Sequence, residues 1–214
     1  MKKYIVAAAL LITLAILLLL PAREPQRPAQ PLTGLPWQIE RLPDGYTKVF
    51  GITPGQSTLA DAVGQLGNDL QLAIIAAPGE SGDLEMYYGH YSAGVISGKL
   101  ILVADIAPDT LTHMLERATR EAGTRRFLLH PDDLPPSLQA PVRRIIFLPA
   151  INLDEEIAHN RFGIPDETLE DAGQVTHLLY PDLGLDFALD PNGRETLRYV
   201  APREFGRLRS ELKQ

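Results

Sequence analysis

Cysteine is absent from this 214-residue sequence. That absence excludes disulfides, thiolate metal sites, a cysteine nucleophile and a lipid-modified N-terminal cysteine. An excess of basic residues is also missing, because 20 Lys and Arg stand against 27 Asp and Glu, for a formal net charge of −7. A chain with this charge is not expected to bind nucleic acid. Hydrophobic residues at 45% and charged residues at 22% are near the globular average, which predicts a folded protein.

Motifs for catalysis and metal binding are also missing. The sequence has no His-Glu-x-x-His segment, in which two imidazoles share one helical face. Glu156 and His159 are an i, i+3 pair of the kind found in di-iron helices, but those sites need two such pairs. In the segment 190–195, Gly193 comes too early for a calcium loop. The sequence therefore predicts no metal, no cofactor and no enzyme, although a Ser/His/Asp set assembled by folding stays open.

The N-terminus is strongly apolar. Residues Tyr4–Leu20 carry no charge, and Pro21 and Ala22 lengthen the apolar run to nineteen residues. As a helix rising ~1.5 Å per residue, such a run reaches roughly 28 Å, about one bilayer core. We therefore predict a membrane anchor over residues 1–22. The alternative is a cleaved signal peptide, whose apolar region is usually shorter, about 7–15 residues.

The charges beside this segment predict its orientation. Lys2 and Lys3 favour an N-terminus on the cytoplasmic side, whereas Arg23 and Arg27 oppose it. On balance the sequence predicts a single-pass, signal-anchored protein of a bacterial inner membrane, with its C-terminal domain in the periplasm. Residues 23–36 are rich in proline, which fixes φ and removes a backbone donor, so they are predicted to form a semi-extended linker.

A helix followed by three strands occurs twice in the pattern. In the first copy, Ser57 or Thr58 caps a helix that stops at Gly67, and the strands are 70–77, 84–91 and 98–105. In the second, Asn152 or Asp154 caps a helix that stops at Gly163, and the strands are 176–180, 185–189 and 195–200. The predicted fold class is α+β: an N-terminal transmembrane helix, then a duplicated unit of one helix and a three-stranded antiparallel sheet. Chance similarity of the two copies stays open.

These elements predict the domain organisation. After the anchor (1–22) and the linker (23–36), the sequence predicts a first α+β unit (37–106), a connecting helix with strands (107–150) and a second α+β unit (151–214). In the last unit, Asn192-Gly193 predicts a type I′ hairpin turn, because both residues accept positive φ.

The repeated pattern resembles a known family. The segment with Gly55, Thr58, Val63, Leu66 and Gly67 is similar to the opening motif of the small lipoproteins of the outer-membrane β-barrel assembly machinery, the BamE/SmpA-like family. The second copy shows the same likeness at Leu153, Phe162, Gly163 and Pro165. The resemblance covers about half of the chain. It implies the related β-lactamase-inhibitor-protein-like fold and non-enzymatic protein binding through sheet and loop surfaces. The family attaches to membranes through a lipidated cysteine, which this chain lacks.

A tyrosine-rich segment is the candidate binding site. Strand alternation predicts Tyr87, Gly89 and Tyr91 on one face and Tyr88 and His90 on the other. Tyr87, Tyr88 and Tyr91 give large contact areas at low entropic cost, which favours a binding surface. The alternative is that one face is core and the other an aromatic cross-strand ladder.

Two functions follow from these observations. The preferred prediction is a membrane-anchored envelope protein with a non-catalytic interaction domain, an assembly or accessory factor of an envelope complex. Its expected partners are the membrane, through the N-terminal helix, and an envelope protein. The alternative is an envelope hydrolase or small-ligand-binding protein, whose histidines and carboxylates would converge in one pocket.

Overall fold

Strands form most of the structure. The computed structural model of the chain describes residues 33–77, 79–80 and 82–213. The strands of this part are β1 (Glu40–Arg41), β2 (Thr47–Lys48), β3 (Gln71–Ile75), β4 (Asp83–Ala93), β5 (Ile96–Ala104), β6 (Thr119–Arg120), β7 (Arg126–Leu128), β8 (Val142–Pro149), β9 (Glu167–Glu170), β10 (Thr176–Tyr180), β11 (Leu185–Leu189) and β12 (Thr196–Val200). Its α-helices are α1 (Leu59–Leu66), α2 (Pro108–Arg117), α3 (Leu134–Leu138), α4 (Glu155–Phe162) and α5 (Phe205–Glu211).

Ten of these strands pair in one sheet. Its order is β6-β7-β3-β4-β5-β8-β12-β11-β10-β9, and every neighbouring pair is antiparallel. The remaining strands, β1 and β2, form a separate short hairpin. The turn of this hairpin contains Gly45 at φ +82°, a conformation that glycine adopts without steric cost.

The two faces of the large sheet differ in what covers them. One face, here the covered face, buries alternate strand residues such as Tyr88, Leu100 and Phe147 in the main core. Helices α1, α2 and α4 add apolar side chains to the same core, as does the segment 35–52. The opposite face, here the open face, carries the intervening residues such as Tyr87 and Ile101. Among the described helices, only α5 packs on the open face, through a second small core.

The strand registers relate two halves of the sheet by a local two-fold axis. The first half contains α1, β3, β4, β5 and β8, and the second contains α4, β9, β10, β11 and β12. The central strands β8 and β12 pair Phe147 with Leu197 and Ile145 with Tyr199, so a two-fold exchanges the two pairs. On the first side, Phe147 pairs with Leu100, which in turn pairs with Tyr88. On the second side, Tyr199 pairs with Leu185, which in turn pairs with Tyr180. Tyr88 and Tyr180 are therefore equivalent positions.

The two helices of the halves also begin and end alike. Thr58 caps α1 by accepting a hydrogen bond from the Asp61 amide, and Asp154 caps α4 by accepting one from the Ile157 amide. Both helices end at a glycine with positive φ, +92° at Gly67 and +89° at Gly163. These caps and stops confirm the sequence prediction for both helices.

The predicted fold class, a transmembrane helix followed by a duplicated unit of one helix and three strands in an α+β fold, is wrong. The described chain is mostly β, and its repeat has one helix and four strands within a single continuous sheet. Strand β9 has Leu169 as its sole apolar residue, so it lacks an alternating pattern. Strand β8, expected in the connecting region 107–150, is the fourth strand of the first half. Hydrophobic pattern alone therefore underestimated the size of the repeat.

The prediction of a single-pass transmembrane protein is also corrected. No helix in the described residues is long and apolar enough to cross a membrane, and the longest, α2, has 10 residues. The predicted anchor, residues 1–22, and the linker up to residue 32 lie outside the described residues.

The predicted type I′ turn at Asn192-Gly193 is wrong as well. Neither residue has positive φ, which that turn requires at both positions. The loop between β11 and β12 runs from residue 190 to residue 195, and its fold is set by Asp190. The Asp190 carboxylate accepts a hydrogen bond from the Asn192 amide at 2.8 Å. This side-chain turn replaces the tight backbone turn expected from the sequence.

Candidate protein-binding face

A shallow groove lies on the open face of the first half. It has a volume of about 280 Å³, and its lining residues come from β3, β4, β5 and β7: Gln71, Ala73, Ile75, Glu85, Tyr87, Ile101 and Arg126. The side chains of Ile75, Tyr87 and Ile101 are half-buried, and Leu128 beside Ala73 is 45% exposed. Strand pairing fixes the groove floor, because it aligns Gln71, Tyr87 and Ile101 across β3, β4 and β5. The result is a firm, partly apolar surface that no described helix covers.

One carboxylate in the groove, that of Glu85, has no cationic partner among the residues that the structure describes. Glu85 makes no ion pair with any described residue, whereas Arg126 pairs with Glu121 at 3.2 Å and Asp83 pairs with Arg143 at 2.7 Å. Burial, and then the nearby charge of Asp83, raise the pKa of Glu85. A half-buried carboxylate of this kind gains from a cation brought by another molecule.

Only one of the three predicted tyrosines lies in the groove. Tyr87 is on the open face, but Tyr88 is 2% exposed and belongs to the main core. The Tyr88 hydroxyl donates to the carbonyl oxygen of Gly67 at 3.1 Å. Tyr91 packs edge-on against Phe50, with ring centroids 5.4 Å apart. The structure therefore does not bring Tyr87, Tyr88 and Tyr91 together on one surface.

A β-bulge explains why the predicted alternation is wrong. The pairing of β4 with β5 shifts between Tyr88 and Tyr91, so an extra residue enters β4 there. Tyr88 and Tyr91 then both contact the covered-face core, although three positions separate them. Sequence pattern gave no sign of this bulge beyond Gly89, which is a residue found at such irregularities.

The second half carries a helix at the position that corresponds to the groove. Helix α5 packs Phe205 and Leu208 onto Leu179 and Val200, with Leu169 and Leu212 at the margin. Two ion pairs hold it: Arg209 with Glu167 through two contacts of 2.6 and 2.8 Å, and Arg144 with Glu211. Helix α5 thus covers part of the open face of the second half.

The two-fold assigns groove residues to three of the side chains that contact α5. Since Tyr88 is equivalent to Tyr180, Tyr87 corresponds to Leu179. Pairing across β3 and β4 and across β9 and β10 then makes Ala73 correspond to Leu169 and Gln71 to Glu167. The groove is therefore the site that α5 fills in the other half. Alanine in place of leucine leaves extra depth there, because a smaller side chain fills less space.

A buried polar network occupies the open face of the second half. His177 is 1% exposed, and its Nδ1 lies 2.9 Å from Oδ1 of Asp186. Arg198 donates to Oδ2 of Asp186 at 2.7 Å, and Asp171 lies 3.5 Å from Nε2 of His177. Burial alone lowers the pKa of His177, but the hydrogen bond and charge of Asp186, aided by Asp171, outweigh it and raise the pKa.

The centre of this network, His177 with Asp186, is closed to solvent, whereas the side chains of Asp171 and Arg198 are partly exposed at its edge. Asp186 is 0% exposed, and Oδ1 of Asp171 accepts hydrogen bonds from the backbone amides of Gly173 and Val175. Those backbone hydrogen bonds are also the main reason that the pKa of Asp171 is lowered. Within residues 33–213, no group of three or more His, Asp or Glu side chains has an arrangement that can hold a metal ion. The network therefore stabilises the sheet.

Comparison with protein-family models, with curated proteins and with solved structures finds no match in any of the three. The likeness to the BamE/SmpA-like family stays a prediction from sequence.

Proposed function

We propose that residues 33–213 form a non-catalytic protein-binding domain of a cell-envelope complex, which holds its partner on the open face of the first half. The observation that carries this proposal is the internal contrast between the halves. One half covers its open face with α5, and the equivalent area of the other half is a bare groove with a half-buried Glu85. Apolar surface left uncovered in one of two related halves is typical of an interaction site.

The envelope context of the proposal comes from the sequence, through the resemblance to envelope lipoproteins. The acidic net charge of −7 favours a neutral or basic partner. The sheet supports binding rather than catalysis, because a floor of paired strands is a rigid platform and its lining side chains are mostly apolar.

Photo-crosslinking in the native host tests the proposal. A photoreactive amino acid replaces Tyr87 or Ile101 in the groove of the full-length chain, and in the controls it replaces Val95 or His113, which are exposed elsewhere. We expect one envelope protein to be captured from both groove positions and from neither control. Capture from all four positions alike, or from none, would overturn the proposal.

A further inference from the structure

The local two-fold shows what kind of element the groove fits. Helix α5 sits on the second half with Phe205, Leu208 and Leu212 toward the sheet, a spacing of i, i+3 and i+7 along one helical face. The receiving side chains are Leu169, Leu179 and Val200. By the two-fold, the corresponding first-half side chains are Ala73 and Tyr87, which line the groove, and Leu148, which lies outside its lining. The groove thus presents two of the three receiving positions, and Ile101 adds a further apolar side chain beside Tyr87.

Comparison of positions related by the two-fold axis also shows that the open face of the first half is more apolar than that of the second. Ile101 corresponds to Asp186, and Ile146 corresponds to Arg198, since both pairs occupy matching register positions. The second half thus has an ion pair at these positions, of which Asp186 is buried and Arg198 partly exposed, and the first half has isoleucines. The floor of the groove is more apolar as a result, which strengthens binding to an apolar side chain.

The charges of the groove argue against a second copy of α5 as its occupant. At its position on the second half, α5 forms ion pairs with Glu167 and Arg144. The two-fold places Gln71 and Thr196 at those positions, so a second copy would lose both pairs. Glu85 instead takes the place of His177 and lacks a cation among the described residues. The groove therefore selects for a basic side chain.

We infer that the groove is a docking site for an amphipathic helix of another protein, which lays apolar side chains spaced i, i+3 and i+7 over Ala73, Tyr87 and Ile101 and brings a lysine or arginine to Glu85. This inference rests on the proposed function and adds the form and charge of the partner. The mode is that of a helix laid in a groove, in which a few apolar anchors give the affinity and charge gives the selectivity.

The probe is a stapled peptide of residues 202–213 that carries Glu204→Lys, so that it keeps the apolar face of α5 and, once the staple also removes Glu211, has only basic charged side chains to offer Glu85. A hydrocarbon staple joins positions 207 and 211, because a free peptide of this length is only marginally helical in water. The staple removes Glu211, which Arg144 needs for pairing at the α5 seat, and retains the apolar Phe205, Leu208 and Leu212. A control peptide carries Leu208→Asp. Binding of the labelled peptide to the full-length protein is followed by fluorescence anisotropy.

We expect saturable binding of the stapled peptide and no binding of the Leu208→Asp peptide. Tyr87→Ser should weaken binding about tenfold, because truncating a central tyrosine anchor commonly has an effect of that size. Glu85→Gln should weaken it about threefold and reduce its dependence on salt, as for a partly exposed ion pair. Val95→Ser, which removes an exposed apolar side chain outside the groove, should leave the affinity unchanged.

The outcomes separate this inference from the proposed function. An absence of peptide binding, or binding that Tyr87→Ser and Glu85→Gln leave unchanged in folded protein, overturns helix docking. The proposed function still holds in that case if photo-crosslinks at Tyr87 and Ile101 capture one envelope protein. If those crosslinks fail while the peptide binds as expected, the groove accepts helices but the proposed envelope partnership is wrong. Thermal unfolding of each variant verifies that it is folded.

Discussion

Tyr88 and Tyr180 make the same hydrogen bond in the two halves of the sheet. The hydroxyl of Tyr88 donates to the carbonyl oxygen of Gly67, and the hydroxyl of Tyr180 donates to that of Gly163, at 3.1 Å in both cases. Each glycine is the residue at which the helix of that half ends. Each tyrosine thus satisfies a carbonyl that the helix itself leaves without a partner, and ties the helix end to the sheet.

Removing either hydroxyl should destabilise the protein by a similar amount. We expect Tyr88→Phe and Tyr180→Phe each to lower the free energy of unfolding by about 1–2 kcal/mol, because each leaves a carbonyl oxygen without its donor. The effects should add in the double variant, since the two sites lie in different halves. Urea denaturation measures both. Tyr87→Phe is the matched control, because the Tyr87 hydroxyl makes no hydrogen bond with a described residue.

The same pair predicts how stability responds to alkaline pH. Burial raises the pKa of Tyr88 to about 12, and burial followed by the charge of Glu155 raises that of Tyr180 to about 12. Their stabilising contribution is therefore complete below the unfolded pKa of about 10 and is lost as pH rises toward 12. The double phenylalanine variant should lose less stability than the parent protein between these pH values. Equal losses in both proteins would contradict this reading of the pair.

Local signals in the sequence predicted the helices of both halves well. Thr58 and Asp154 are short polar side chains that accept backbone hydrogen bonds, and Gly67 and Gly163 tolerate positive φ. Such caps and stops depend on one or two neighbouring residues, so they are visible in sequence. The pairing of β8 with β12 depends on residues some fifty positions apart, and no local pattern indicates it.

The candidate site was harder to predict for the same reason. Tyr87 was singled out for its residue type, but Ala73, Glu85 and Ile101 have no distinguishing feature in the sequence. They form a groove because strand register aligns them and because none of the described helices covers them. Regular alternation placed Tyr91 on the face of Tyr87, but the bulge in β4 turns Tyr91 to the covered face, where Tyr88 is also buried. Whether Tyr87 contacts a partner stays a prediction.

The buried network predicts a dependence on pH near neutrality. The folded pKa of His177 lies above its unfolded value of about 6.5. The contribution of His177 to the free energy of unfolding is therefore complete below that pH and is lost as pH rises through the folded pKa. We expect His177→Gln to lower the free energy of unfolding by about 1.5–3 kcal/mol at pH 5.5, because a charge-assisted hydrogen bond is lost. The difference between the variant and the parent should shrink at pH 8.5.

Urea denaturation at the two pH values is the measurement. His113→Gln, on an exposed helical position, is the matched control and should show no such difference. A His177→Gln variant that is equally destabilised at both pH values would mean that the network holds neutral histidine throughout this range.

Helix α5 provides a fourth prediction. Leu208 is 2% exposed and lies in the second core with Leu179 and Val200. We expect Leu208→Ala to destabilise the protein by about 2–4 kcal/mol, through the lost burial and the cavity that remains. Arg207→Ala, on the exposed side of the same helix, should change stability little. Hydrogen exchange of the α5 amides then distinguishes local undocking from global unfolding: protection lost in α5 alone indicates undocking.

The two outermost strands of the large sheet have a consequence for behaviour at high concentration. Strand β6 has 2 residues, and β9 has 4 residues that include Glu167 and Glu170. Short and charged borders offer a further chain little opportunity to extend the sheet, which is how many natural β-proteins avoid aggregation. The protein can therefore expose the apolar groove on its open face without extending its sheet into fibrils through β6 or β9.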